Sequence, residues 1–532
     1  MVFVDGWRRW TNAQVFILFG LFFALTSWWR SLAFGFYSDD WIFLSNTIYL
    51  PATLVEYLEV NWYARPVYAS ITWILNKFAN GSPALWQVIS SGTVLASVSV
   101  AFKLIGHTAT SLGYGRRAVI IGSFYGAVVL FFSPWMLAVF AWPTGVLTLW
   151  SFILFGVGFV LIEESENWLT KSLGSVLVLC GFLSYEAYWF TFIPLLLIAR
   201  SFRVAQISST ILGTLWYIVP LGLAGAYQRV LVPFVVPGHE KPVSVNWSLI
   251  VNNITQFDRF VSAAIAPVPT ITLLLCVAAV ASALLILRAI SFARLLAIVA
   301  ALSLGVIITA VIHGAAGYGL TGLGVMSRSM AAPGFYFSVF LGIMAAASAD
   351  RFNGQTETQR RRYVFPILFG TILAMLFTGF MGRTSEWASN KELSTNVVNT
   401  LVSTVDQSYL RHSPKDVSIV VQVEGDPNGE VFGGYWELGG AVALVAPSLV
   451  PAKDVWFLPA RQGAWSTVWD GAWVIQTVCS ARPESVVESR ASRAPPLYYR
   501  IDPKSGKLLE SGRLTRGREF GCGGSRPVLD QS

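Results

Sequence analysis

Phe36-Tyr-Ser-Asp-Asp-Trp41 places two adjacent acids, Asp39 and Asp40, just beyond an apolar run that extends from about residue 13 to residue 34. About 20 apolar residues are needed to cross the hydrocarbon core of a bilayer, and charge held beside hydrocarbon is costly. The run therefore reads as a transmembrane helix and the acidic pair at its end as functional. A basic start followed by an apolar run also suits a cleaved signal peptide, but no small-residue cleavage site follows.

Working outward, similar runs recur to about residue 381. The 532-residue chain is 54% hydrophobic and only 12% charged, about half the charged fraction of soluble domains. The expected fold is an all-α polytopic membrane domain over residues 1–381. Spans are expected at roughly 13–34, 85–105, 118–137, 145–162, 172–185, 187–200, 208–227, 265–287, 293–312, 332–349 and 363–381, about eleven in all. From Gly382 to Ser532 no such run appears. Strand candidates at Val417–Val423, around Trp456 and Trp473, and at Tyr498–Ile501 are separated by Asp-Pro-Asn-Gly and Asp-Pro-Lys-Ser-Gly turn signals. A soluble β-rich or mixed α/β domain is expected over 382–532.

The formal charge of +8 first reports topology. Arg8 and Arg9, Arg116 and Arg117, Arg200 and Arg203, Arg288 and Arg294, and Arg351 with Arg360–Arg362 fall in alternate loops, which the positive-inside rule makes cytoplasmic. The loop with Glu163, Glu164, Glu166 and Lys171 is acidic, but acids count little in this rule. The N-terminus is thus expected in the cytoplasm of a plasma (inner) membrane protein and the C-terminal domain outside, with the lipid bilayer as a partner and no nucleic acid. Cys180 and Cys276 fall in apolar spans as small buried hydrophobes. Cys479 and Cys522 fall in the outer domain, where an oxidising compartment permits a disulfide.

The first outer loop, 35–84, holds two short amphipathic pieces, Pro51–Leu58 and Pro66–Lys77, each opened by a Pro suited to a first helical turn. Neither is long enough to span, which suits helices lying in the interface. The acidic pair at the loop's start suits a general base that takes a proton from a hydroxyl; neighbouring carboxylates do not titrate independently. Glu186, in Ser184-Tyr-Glu-Ala-Tyr-Trp189, breaks an otherwise continuous apolar stretch at the outer face. With Tyr185 it is a candidate to line the same cavity, holding an acceptor hydroxyl or pairing with Arg65 or Arg328. Arg328 follows a glycine-rich loop that begins at His313 and precedes a helix start. A guanidinium fork there suits phosphate oxygens, with Arg65 and His313 as further phosphate candidates and His239 a weaker one. Trp62, Trp73, Trp142 and Trp189 read as an interfacial aromatic belt. In the outer domain Trp436, Trp465, Trp469 and Trp473 read as core packing first, with stacking on sugars as the alternative. No Walker sequence, Cys-x-x-Cys, His-Glu-x-x-His or strand-placed dinucleotide loop occurs.

A cytoplasmic N-terminus, one span, and an acidic pair opening a long outer loop with two interface helices resemble the glycosyltransferase C superfamily, over essentially residues 1–381. The resemblance implies a polyprenyl-phosphate sugar as donor and an envelope glycan, lipid or protein as acceptor. It implies Asp40 or Asp39 as the catalytic base, Arg328 at the donor phosphate, and transfer with inversion. Two departures stand out. Several of its families carry an acid in the second outer loop, and Ala141-Trp-Pro-Thr-Gly145 has none, so a divalent metal cofactor finds no support there. Many carry Lys before the acid at the helix break, where Tyr185 stands here. Rival readings are a polymerase or ligase moving a whole glycan from a lipid pyrophosphate, and a transporter or flippase. The first shares the span count and outer arginines, but the long first loop with its acidic pair and the large C-terminal domain favour the glycosyltransferase. The second predicts repeat symmetry and mid-membrane charges, whereas here the charges gather at the outer ends and no repeat is apparent.

Overall fold

Proline and small polar caps begin many of the helices. The computed structural model describes residues 53–61, 65–200, 207–235, 246–315, 320, 325–353 and 359–404, with short strand-bearing pieces between 419 and 530. The first apolar run, Asp39, Asp40, Trp62, His239, Trp436, Trp465, Cys479 and Cys522 lie outside these residues. In chain order the helices are α1 (Leu54–Asn61), α2 (Pro66–Ala79), α3 (Pro83–Ser111), α4 (Arg116–Phe131), α5 (Leu137–Ala141), α6 (Pro143–Glu164), α7 (Trp168–Ser184) and α8 (Phe192–Arg200). There follow α9 (Ile207–Ala226), α10 (Val232–Val235), α11 (Trp247–Thr255), α12 (Phe257–Ile265), α13 (Thr270–Ile286), α14 (Phe292–Ala315), α15 (Ala331–Asn353) and α16 (Gln359–Thr404). Pro66, Pro83 and Pro143 occupy first turns, where a missing N–H costs nothing. Ser82, Asn167 and Asn246 accept from the backbone N–H groups of Leu85, Leu169 and Leu249. Inside the helices, Thr108 and Thr309 donate their hydroxyls to the carbonyls of Leu104 and Gly305, which satisfies these two groups without water.

Five helical segments among the described residues are long and apolar enough to cross a membrane: α3, α6, α14, Arg328–Phe352 and Val364–Thr404. A sixth arises if α4 and residues 134–141 are one span bent by 58°. The expectation of about eleven spans is thus met only in its helical, membrane-compatible character. The expected span at 118–137 breaks after Phe131, because Pro134 disfavours helix in Ser133 before it. The span expected at 187–200 shortens to α8, nine residues, after the break at Tyr185. Helix α16 runs unbroken for 46 residues, about 69 Å, so the sequence boundary at 382 falls inside it.

Beyond α16 the strands β1 (Ile419–Val423), β2 (Val455–Pro459), β3 (Ser466–Trp469), β4 (Trp473–Gln476), β5 (Val487–Ser489), β6 (Leu497–Asp502), β7 (Lys507–Leu514) and β8 (Leu529–Asp530) pair as two sheets. One is ordered β2-β1-β6-β7-β8, with β1 parallel to both neighbours; the other is the antiparallel set β3-β4-β5. Thr400 of α16 donates to the Gly506 carbonyl at 2.6 Å.

Helices α4 and α15 cross through Gly122, Gly126, Gly342 and Ala346, and α6 and α7 through Gly158, Gly174 and Gly181. Small residues let helix backbones approach where lipid offers no hydrophobic drive. A Cβ at Gly122 would stand 2.4 Å from the Gly342 carbonyl oxygen, which cannot rotate away. Gly122→Val is therefore expected to lower stability by about 2–3 kcal/mol. Gly92, with nothing within 4 Å of its added Cβ, is the control, and its Ala variant is expected to be neutral or slightly stabilised. Thermal unfolding of the two proteins in detergent checks the contrast; equal melting temperatures would contradict the crossing.

One end of the bundle is tied by ions. Arg200 at the end of α8 donates to Glu163 of α6 at 2.9 Å and to Thr214 of α9 at 2.9 Å, and buried Tyr217 donates to the same carboxylate at 3.1 Å. Because successive helices reverse direction, the other ends of α6, α7 and α14 meet at the opposite pole.

Candidate functional site

At that opposite pole four helix breaks converge. Ser151 of α6 donates to the carbonyls of Gly181 (2.6 Å) and Tyr185 (3.1 Å), which fixes where α7 stops. Tyr185 turns extended (φ −158°, ψ 129°) and Glu186 opens a short 3-10 turn to Tyr188. Arg65 is the residue before Pro66, so its backbone is held out of the helix that it begins. Its side chain reaches Glu186 in a fork: Nε donates to Oε2 at 2.8 Å and Nη2 to Oε1 at 2.5 Å. The guanidinium also stands 4.6 Å above the centre of the Tyr185 ring. The two charged side chains are only 9% and 18% exposed, so the last piece of the first loop is clamped to the α7 break across 121 residues of sequence.

His313 lies in the last turn of α14 and is buried. Its Nδ1 meets the Thr309 carbonyl at 2.9 Å; because a carbonyl only accepts, Nδ1 donates, and in the neutral ring Nε2 carries the lone pair. Glu186, Arg65 and Arg328 are all within electrostatic reach of this ring. Arg328 comes from the 3-10 turn Val325–Met330, which packs against α5 and residues 134–136. Its guanidinium carbon lies 4.7 Å from the centre of the Trp142 ring. Among the described residues no carboxylate pairs with Arg328.

The structure therefore brings Arg65, Tyr185, Glu186, His313 and Arg328 together at one pole. Of the two partners expected for Glu186, it is Arg65 that holds it. Asp39 and Asp40 lie outside the described residues. The chain matches no family model and no curated protein. Among the described residues no group of three His, Cys, Asp or Glu side chains stands close enough to hold a metal ion.

Two contributors were not singled out by sequence reasoning. Trp142 reads in the sequence as part of the interfacial belt, yet it is fully buried beneath Arg328. Asn253 of α11 is also fully buried; it accepts from the Leu320 N–H at 2.8 Å and donates to the Ala310 carbonyl at 3.3 Å. It thereby ties the glycine-rich segment before Arg328 to α14. An Asn inside an amphipathic helix was the available signal. The chemistry gathered here is one anion-seeking guanidinium on an aromatic shelf, one neutralised ion pair, and one imidazole.

Proposed function

We propose that the protein is a membrane glycosyltransferase that moves a sugar from a polyprenyl-phosphate donor to an envelope glycan, lipid or protein on the extracytoplasmic face. The observation that carries this reading is Arg328, a half-buried cation with no carboxylate partner among the described residues, at the pole where Arg65 closes the first loop. A lipid-linked phosphate reaches such a site by diffusing in the membrane plane, and a guanidinium at a helix end suits its charge.

In the proposed reaction Asp40 or Asp39 takes the proton of an acceptor hydroxyl. The hydroxyl oxygen bonds to the anomeric carbon from the face opposite the phosphate. The carbon–oxygen bond to phosphate breaks, and the electron pair leaves with the polyprenyl phosphate, whose growing charge Arg328 stabilises. The Arg65–Glu186 pair holds the end of the catalytic loop. The region after α16 is a soluble extracytoplasmic domain in this reading, and the N-terminus is cytoplasmic.

The test is thermal unfolding of the purified protein in nanodiscs with a panel of polyprenyl-phosphate sugars. One donor is expected to raise the melting temperature of the wild type by several degrees, in line with ligand linkage at about 100 times Kd, and not that of Arg328→Ala. No shift with any donor, or an equal shift in the variant, overturns the reading.

A further inference from the structure

Both arginines at the pole lie over an aromatic ring, Arg65 on Tyr185 and Arg328 on Trp142, but among the described residues only Arg65 also meets a carboxylate. Both edges of Arg65 that face Glu186 are occupied by its carboxylate, so the pair carries no net charge. Arg328 is held by the face of an aromatic ring and keeps its charge. A guanidinium over a ring is attracted by the ring quadrupole, a contact that uses no carboxylate and leaves the cation its charge and its N–H donors for an anion.

We propose that Trp142 is a positioning residue that aims Arg328 at an anionic phosphate without neutralising it. This rests on the reading of Arg328 given above. Trp142 is well built for the task. Its backbone is extended (φ −91°, ψ 119°) between α5 and α6, because Pro143 follows. Its N–H donates to the Ala138 carbonyl at 3.2 Å and its carbonyl accepts from Val146 at 2.7 Å. The ring is fully buried. Gly145 leaves room for it: a Cβ there would come within 3.0 Å of the Trp142 Cε3 and 2.6 Å of the Ala138 carbonyl. A ring buried on a backbone bonded on both sides makes a platform, and Arg328 is delivered onto it from a turn 186 residues further along the chain. A carboxylate in the same place would hold Arg328 more strongly but would compete with the phosphate.

The experiment titrates farnesyl phosphate into the full chain in neutral phosphatidylcholine nanodiscs, for wild type, Trp142→Phe, Trp142→Leu, Arg328→Ala and the double variant Trp142→Leu/Arg328→Ala. Trp142→Leu is expected to weaken binding ~10-fold and Trp142→Phe ~3-fold, the phenyl ring having the weaker quadrupole. Arg328→Ala is expected to weaken it roughly 100-fold, the prenyl chain keeping the residue of binding measurable. In that background Trp142→Leu adds nothing, an outcome that a merely structural role would not give. Wild-type binding by Trp142→Leu alongside loss in Arg328→Ala overturns the positioning role and leaves the phosphate reading standing. An equal Trp142→Leu effect in both backgrounds also overturns it. Wild-type binding by Arg328→Ala removes the phosphate reading and this inference with it. Should Trp142→Leu not fold, Trp142→Phe decides, alone and combined with Arg328→Ala: weakening in the first that is absent in the second supports the proposal, and wild-type binding by Trp142→Phe overturns it.

Discussion

Glu186→Ala is expected to lower the stability of the folded protein by about 3 kcal/mol, near the low end for breaking a buried ion pair. The cost comes less from the lost attraction than from what stays behind. Arg65 is 9% exposed and stays charged, so removing Glu186 takes from a buried cation the carboxylate that meets it at two points. Glu186→Gln keeps the volume and one acceptor oxygen and should fall between. Removing both charges, as Arg65→Met/Glu186→Leu, takes away the desolvation cost together with the attraction, and is expected to restore most of the stability. Unfolding in mixed micelles measures all three. A double variant as unstable as Glu186→Ala would mean that the clamp acts through shape rather than charge.

Much of this pole was legible in the sequence because charge in an apolar chain is conspicuous. Arg65, Glu186, His313 and Arg328 stood out as rare ionisable groups at the ends of apolar runs, and the structure gathers them. The spans with uninterrupted apolar runs, α3, α6 and α14, were equally plain. Breaks were harder. Pro134 lies inside a run that hydropathy reads as continuous, and the backbone constraint of Ser133–Pro134 falls at the 58° bend. The length of α16 was hidden because residues 383–396 inside it are mostly polar, and polar sequence past a span reads as a new domain. Trp142 was hidden for the opposite reason: an aromatic near an interface has an ordinary explanation, and only Arg328 arriving over its ring gives it another. Asn253 needed tertiary structure altogether, since its partners are 57 and 67 residues away.

Replacing the proposed catalytic base carries the largest expected effect on activity. A carboxylate that accepts the acceptor hydroxyl's proton contributes about 10²–10⁴-fold to rate, and Asn preserves its size while removing its basicity. Asp40→Asn is expected to lose that factor in transfer while still binding donor. Asp39→Asn, the neighbouring change, is expected to lose less if Asp40 is the base; reversed ranking assigns the role to Asp39. Donor binding should survive in both, because in this account Arg328 on Trp142 holds the phosphate.

The most direct test of the glycosyltransferase reading follows the sugar itself. Nanodisc-embedded wild-type protein, given a panel of polyprenyl phosphates carrying isotope-labelled sugars and an envelope extract, is expected to move label from one donor to a new product, with Asp40→Asn or Asp39→Asn losing the transfer. Folded wild-type protein that moves no label from any donor, or transfer undiminished in both Asn variants, would contradict it.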